Sequence, residues 1–334
     1  MGRKKISFEG LGRLPFEEWE LEDMPVKRNV YSNIEIPQPP RHLDENDRRL
    51  YYISFGSGSS GNSCYIGTNN GGIIIDAGIK ADDIEAKIKT NGIDINKIHG
   101  VLLTHDHSDH VKFVYPLVRN NRHMKVYCTN RVLNGMLMKH GISKRIKDYH
   151  TPIFKEIPFK VADLEITAFE VPHDGSDNMG FFISFDSRNF VLATDMGNVY
   201  ERAKHYISQA DHLVIEANYD LQMLLKGTYP EYLKARIQTD SGHMENSKTA
   251  AFLKEIYTRR LKHIFLCHLS KENNTPDKAL LAVKNALEEK GIKVGSGMET
   301  IEDRTADVQL MALPRYSSTR LFVFRPQDGE SLQG

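Results

Sequence analysis

Seven residues, Thr104-His105-Asp106-His107-Ser108-Asp109-His110, constrain this chain more than any other stretch. They read H-x-H-x-D-H and follow an apolar run, Val101-Leu102-Leu103, that reads as a buried strand. Four metal-capable side chains, His105, His107, Asp109 and His110, therefore sit within six residues at a strand end. Imidazole and carboxylate are good ligands for zinc and similar divalent ions. Two histidines at i and i+2 on an extended turn can aim both rings at one ion. The Asp109-His110 pair can then serve a second. Two ions about 3.5–4 Å apart form a clamp suited to in-line displacement at phosphorus or to attack on a carbonyl.

The 334 residues suit one large domain or two small ones, and 40% hydrophobic with 26% charged residues is ordinary for a globular chain with a sizeable core. Lys+Arg and Asp+Glu both total 44, so the formal net charge is zero. No global attraction for polyanions follows, and any nucleic-acid contact must come from local patches. Three basic runs qualify: Arg119 to Lys125, Lys139 to Lys147, and Arg259 to Lys262. The three cysteines, Cys64, Cys128 and Cys267, fit neither a disulfide framework nor a cysteine-based zinc finger. Lying in or beside strands, Cys128 and Cys267 read as small buried hydrophobes. The basic, polar N-terminus lacks the apolar core of a signal peptide. No apolar stretch approaches the ~20 residues of a membrane span. These features predict a cytoplasmic protein with no membrane partner.

Residues 1–47 differ from the rest, with Arg3-Lys4-Lys5, an acidic stretch around Glu17 to Glu20, and Pro37-Gln38-Pro39-Pro40. They read as an extension with little regular structure, which Trp19 could anchor. Residues 48–334 read as the main domain. Strands are expected over Leu50 to Phe55, Cys64 to Ile66, Gly72 to Ile75, Val101 to Leu103, Leu164 to Val171, Gly180 to Phe185, Asn189 to Ala193, His212 to Glu216, His263 to Cys267, Asp307 to Leu313 and Arg320 to Phe324. Helical spacing marks Ala81 to Asn91, which Gly92 ends, then Ser247 to Tyr257 and Pro276 to Lys290. A further helix is expected just after Asp109-His110. Strand-rich halves interleaved with helices predict an α/β layered sandwich.

A dinuclear site needs more ligands than the first cluster provides. Three residues each end an apolar run abruptly: His173 after Ile166 to Val171, Asp195 after Phe190 to Thr194, and His268 after Ile264 to Cys267. Strand ends and their loops are where a layered α/β domain holds a site on a rigid scaffold. The ordered set His105-x-His107-x-Asp109-His110, His173, Asp195, His268 resembles the metallo-β-lactamase superfamily. Asp76, in Ile73-Ile74-Ile75-Asp76-Ala77-Gly78, matches that superfamily's first motif, where an aspartate braces the metal loop. The segments Ser57 to Asn62, Val171 to Gly175, Ile215 to Asp220 and Cys267 to Ser270 are similar to the YycJ (WalJ) group. The resemblance runs from about residue 50 to the end, and residues around 295 to 306 look like an insertion.

That resemblance implies a four-layer αββα sandwich with the metals at one edge. His105, His107 and His173 would hold the first ion, Asp109, His110 and His268 the second, and Asp195 would bridge. Two divalent ions, two aspartates and a hydroxide leave about one positive charge, suited to an anionic phosphodiester. Bound metal brings the pKa of water toward ~7, so hydroxide is available as nucleophile. Glu216 and His243 resemble the glutamate–histidine pair of tRNase Z-like phosphodiesterases. There His243 would be a general acid oriented by Glu216. Ser60, Asn62 and their Gly/Ser loop offer groups that could cradle a phosphate. The short stretch between Asp195 and His268 leaves no room for the inserted domain of β-CASP nucleases. The resemblance points to 5′-to-3′ exonuclease action on double-stranded DNA, with zinc or manganese as the metal. An RNA or cyclic-nucleotide phosphodiesterase and a lactonase- or thioesterase-type hydrolase stay open, because carbonyl chemistry uses nearly the same metal site.

Overall fold

The computed structural model describes residues 48–297 and 303–325. The expected N-terminal extension lies outside them, as does part of the expected insertion. The first half of the chain supplies β1 (Leu50–Gly56), β2 (Ser63–Thr68), β3 (Gly71–Ile75), β4 (Ile98–Leu102), β5 (Lys125–Cys128) and β6 (His150–Pro152). The second supplies β7 (Phe159–Val161), β8 (Leu164–Glu170), β9 (Met179–Phe185), β10 (Arg188–Ala193), β11 (His212–Glu216), β12 (His263–Cys267), β13 (Val294–Gly295) and β14 (Val308–Ala312). A last strand, β15 (Phe322–Phe324), returns to pair with β1. Two mixed sheets result, ordered β15-β1-β2-β3-β4-β5-β6 and β13-β14-β12-β11-β10-β9-β8-β7.

The alternation along β10 and β11 explains the layering. Phe190, Leu192 and Val214 belong to a core shared with Tyr52, Phe55 and Ile74 of the first sheet. Val191, Ala193, Leu213 and Ile215 face the opposite way, into a second core with residues of the flanking helices. Successive strand side chains point to opposite faces, so a strand buried on both sides reads as a continuous apolar run. The helices are α1 (Ala81–Thr90), α2 (Ser108–Val111), α3 (Val114–Asn120), α4 (Asn130–Lys139), α5 (Glu201–Ile207), α6 (Leu221–Lys226), α7 (Glu231–Ile237), α8 (Asn246–Ile256) and α9 (Pro276–Glu288). Helix α3 packs on β4 and β5, α5 on β8 to β10, and α9 on α8 and β14. This is the expected αββα sandwich.

The boundary that matters most for the site differs from expectation. The helix expected after Asp109-His110 begins before them, at Ser108, so both residues lie within the single turn of α2. The polar composition of that turn hides it from apolar periodicity. Cys64, Cys128 and Cys267 are buried free thiols. Among the described residues, no helix is long and apolar enough to cross a membrane.

Candidate metal centre and active site

The strands that end at one edge of the sandwich carry the site. Strand β3 delivers Asp76, β4 delivers the loop from Thr104 to His110, and β8, β10, β11 and β12 deliver His173, Asp195, Glu216 and His268. Strands β10, β11 and β12 run parallel, so Asp195, Glu216 and His268 emerge side by side. Asp76, Asp195 and His268 adopt positive φ, at 60°, 52° and 52°. Left-handed backbone is uncommon for residues other than glycine and gathers at functional sites. Gly78 permits a close approach of a different kind. A Cβ there would lie 1.6 Å from the Asp109 carbonyl oxygen. Its absence lets the Asp109-His110 turn settle against Asn62 and Ala77, whose N–H groups donate to the Asp109 and His110 carbonyls at 2.8 and 2.7 Å.

All seven residues expected as ligands converge. Ligand atoms of His105, His107 and His173 lie within 4.8 Å of one another, as do those of Asp109, His110 and His268. Asp195 clusters with His105 and His110, and again with Glu216, His243 and His268. Its Oδ2 is 3.2 Å from His110 Nε2 and its Oδ1 3.4 Å from His268 Nε2. Asp109 Oδ2 is 3.3 Å from His268 Nε2. Among the described residues His105 Nε2 is buried with no hydrogen-bond partner, although its Nδ1 lies 3.0 Å from Thr104 Oγ1. A buried polar atom left unpaired costs free energy, so an imidazole nitrogen aimed into a nest of carboxylates and imidazoles fits a cation. His173 Nδ1 donates to the Ser241 and Gly242 carbonyls, each at 3.1 Å, and its Nε2 faces the cluster, 3.2 Å from His107 Nδ1.

Electrostatics support the same fit. Burial works to raise Asp109, but His110 and His268 outweigh it and hold the carboxyl well below its usual range. Burial is likewise outweighed at Asp195 by His268, His110 and His105. Conversely, burial would lower His268, yet Asp195, Asp109 and Glu216 bring it up to about 10. Burial together with His110 keeps His105 well below its ordinary value, and burial with His173 brings His107 down to about 4. The buried carboxylates thus demand positive charge, while His105 and His107 are held in the neutral form that binds metals.

Around the ligands sits a shell of braces. Asp76 Oδ1 accepts from Thr104 N at 2.9 Å, and its Oδ2 is 2.7 Å from His110 Nδ1. Asn62 donates to Asp109 Oδ2 at 3.2 Å, and its Oδ1 accepts from Gly58 N at 2.8 Å. The Asn62 side chain is therefore engaged with the ligand turn, whereas Ser60 is exposed at the loop tip. Asn218 donates to the His268 carbonyl at 2.7 Å. Asp174 lies 3.3 Å from His107 Nε2 and pairs with Arg236 at 2.6 Å. No apolar run ends at Asn218, Asp174 or Arg236, so the sequence carries no ligand-like signal for them; Asn218 and Asp174 stand only inside the motifs Ile215 to Asp220 and Val171 to Gly175.

Glu216 and His243 form a contact of 2.7 Å between Oε1 and Nδ1. Glu216 Oε2 also accepts from Met196 N at 2.9 Å. Burial would raise this carboxyl, but His243 and His268 hold it below its ordinary range. His243 is partly exposed and Glu216 fully buried, with side-chain exposures of 22% and 0%. The pair thus presents one imidazole to the outside with a buried anion behind it.

A beta-lactamase superfamily domain model matches residues 72–264. The chain is 36% identical over 256 residues to exodeoxyribonuclease YycJ of Bacillus anthracis, covering 75% of this chain and 94% of that protein. It is 33% identical over 245 residues to exodeoxyribonuclease WalJ of Streptococcus pneumoniae serotype 2 (strain D39 / NCTC 7466), covering 73% and 90%. Among solved structures, the metallo-β-lactamase fold protein YhfI from Bacillus subtilis aligns with a TM-score of 0.59 at 14% identity, covering 83% of this chain and 100% of that one. The chain belongs to the metallo-β-lactamase superfamily and, within it, to the YycJ/WalJ group.

Proposed function

We propose that this protein is a metal-dependent phosphodiesterase that degrades DNA as an exonuclease, acting 5′-to-3′ on duplex ends. The observation that carries a phosphodiesterase over a carbonyl hydrolase is the Glu216–His243 contact of 2.7 Å beside Asp195 and His268. Departure of an alkoxide from phosphorus needs a proton, and a histidine fixed by a buried carboxylate can give one. The names of the two bacterial relatives support DNA as the polymer.

His105, His107 and His173 would hold one divalent cation and Asp109, His110 and His268 another, with Asp195 between them; zinc and manganese both suit this donor set. Bound there, the cations would supply Lewis acidity and a nucleophile at neutral pH. The protein's own groups do the rest. Asp76, Asn62 and Asn218 hold ligands in place. Glu216 takes the His243 Nδ1 proton in a hydrogen bond, which leaves Nε2 to protonate the leaving oxygen.

End-labelled linear duplex DNA, with 5′-phosphate or 5′-hydroxyl ends, tests this reading in added zinc or manganese. The expected result is release of 5′-labelled mononucleotides by the wild type and none by Asp109→Ala. No cleavage by protein shown to carry two ions would overturn it.

A further inference from the structure

The segment between β14 and β15 runs against the loops that carry Ser57 and Leu269, the latter one residue from His268, and belongs to neither sheet. It is fastened to both. Leu313 N donates to the Leu266 carbonyl of β12 at 2.8 Å, and Thr319 N donates to the Ser54 carbonyl of β1 at 2.9 Å. Between these anchors Ser57 N donates to the Pro314 carbonyl at 3.1 Å. Ser57 Oγ in turn accepts from the N–H of His268 at 2.9 Å. Arg315 is thereby set against the wall that carries Asn62, Asp109 and His268.

Its guanidinium donates to the Leu269 carbonyl and, at 3.3 Å, to Ser59 Oγ. It covers Gly58, where a Cβ would come within 2.5 Å of Arg315 Nη1. Gly58 also holds φ at +147°, so this position favours glycine twice over. Among the described residues, no carboxylate pairs with Arg315. Glu272, near enough to act on its charge, is matched with Lys271 at 3.8 Å. A half-buried cation on a segment hydrogen-bonded to both sheets, with no paired carboxylate among the described residues and beside the proposed active centre, is arranged for an anion from outside. Next to it Tyr316 is 69% exposed, with the Arg315 guanidinium 5.8 Å from its ring centroid. An exposed aromatic beside an arginine is the pairing that single-strand binders use for base and backbone.

We propose that Arg315 and Tyr316 form a nucleotide subsite of the active centre, in which Arg315 holds a phosphate next to the scissile one and Tyr316 stacks on the adjoining base. The subsite rests on the phosphodiesterase reading. It makes Arg315 a positioning residue that sets where along the strand the centre cuts.

The test is fluorescence anisotropy of a labelled phosphorothioate oligonucleotide, which resists hydrolysis, on metal-loaded protein. Arg315→Met should weaken binding by at least about tenfold and reduce the slope of log K against log salt by roughly one. Arg315→Lys should keep the charge but lose the fork, and fall between. Tyr316→Ala should weaken binding roughly 5- to 100-fold, with Tyr316→Phe restoring it. Because Tyr316 is exposed, its truncation removes no core packing. Lys290→Ala, two residues beyond the end of α9, serves as the control for general charge. Binding by Arg315→Met and Tyr316→Ala equal to wild type, or an equal loss in Lys290→Ala, overturns the subsite. Hydrolysis of duplex DNA and of bis(p-nitrophenyl) phosphate is measured alongside. A wild type that cleaves phosphodiesters while both variants bind normally refutes the subsite alone. One that binds through Arg315 and Tyr316 but cleaves neither substrate refutes the phosphodiesterase reading alone. Neither binding nor cleavage refutes both.

Discussion

His243 and Asp76 separate two jobs that single residues do in this centre. His243 meets Glu216 at 2.7 Å, while its Nδ1 is 4.0 Å from Asp195. Truncating it should leave the seven nearer donors able to bind metal. His243→Ala is expected to lower kcat for DNA on the order of 100- to 10,000-fold, the usual share of a general acid. Metal content measured on the same preparation should stay at the wild-type value, and a variant that loses its metal would refute the role. Asp76 works in the opposite way. It touches Thr104 and His110 but joins no donor cluster. Asp76→Asn keeps a residue that tolerates positive φ and removes only the charge. It should weaken metal affinity about 10- to 100-fold in a chelator competition. At this scale the sequence exposes the residues that end apolar runs: Asp76, Asp195 and His268 stand out because a buried strand stops at each. Asn62, Asn218 and Asp174 give no such signal. Their partners are distant in sequence, as with Asn218 and His268 or Asn62 and Asp109, and only the closed sandwich brings them together.

Among the elements, β11 and β12 have a second feature, at the ends away from the metal site. His212 and His263 are register partners where the two strands begin, and their Nδ1 atoms are 3.0 Å apart. His212 stacks on Phe324, with ring centroids 3.7 Å apart. Burial, then His263 and Arg188, lowers His212 well below its ordinary value. Burial, then Arg320 and Lys262, brings His263 down to about 4. Both rings are neutral in the folded protein, whereas the unfolded chain takes up protons near pH 6.5. Their stabilisation is therefore complete above pH 6.5 and is lost as the pH falls below it, for His263 by about pH 4. By pH 5 the His263 share of the loss is about 2 kcal/mol. Urea denaturation at pH 8 and pH 5 should show that His263→Gln has a smaller pH-dependent drop than the wild type. An identical drop would refute the assignment. Elements buried on both faces, such as β10 to β12, were legible as apolar runs. Short ones were not: α2 is a single turn holding two of the expected ligands, Asp109 and His110, and β6 and β7 are three residues each, too brief for any period to show.

For the molecule as a whole, the donor set lies across the seam of the sandwich. His105, His107, Asp109 and His110 follow β4 of the first sheet, whereas His173, Asp195 and His268 follow β8, β10 and β12 of the second. Each proposed cation would take ligands from both sheets and so tie them together at that edge. Interleaved strands and helices made an α/β layered sandwich readable, whereas the αββα order and the metals at one edge came from the family resemblance. The pairing of β15 with β1 was not, since nothing in three residues names a partner 270 positions away. A ligand that binds only the folded state stabilises it by about 4 kcal/mol at a thousand times its dissociation constant. Calorimetry should therefore show the melting temperature of wild-type protein rising with added zinc or manganese and falling in excess chelator. Asp195→Ala, which removes the carboxylate proposed to lie between the two cations, should respond far less. Its own melting point separates the two contributions: loss of a cation lowers the metal-loaded value toward that of the chelated wild type. A general packing defect would instead lower both values together. A wild-type melting temperature indifferent to metal and chelator would mean that no cation ties the sheets.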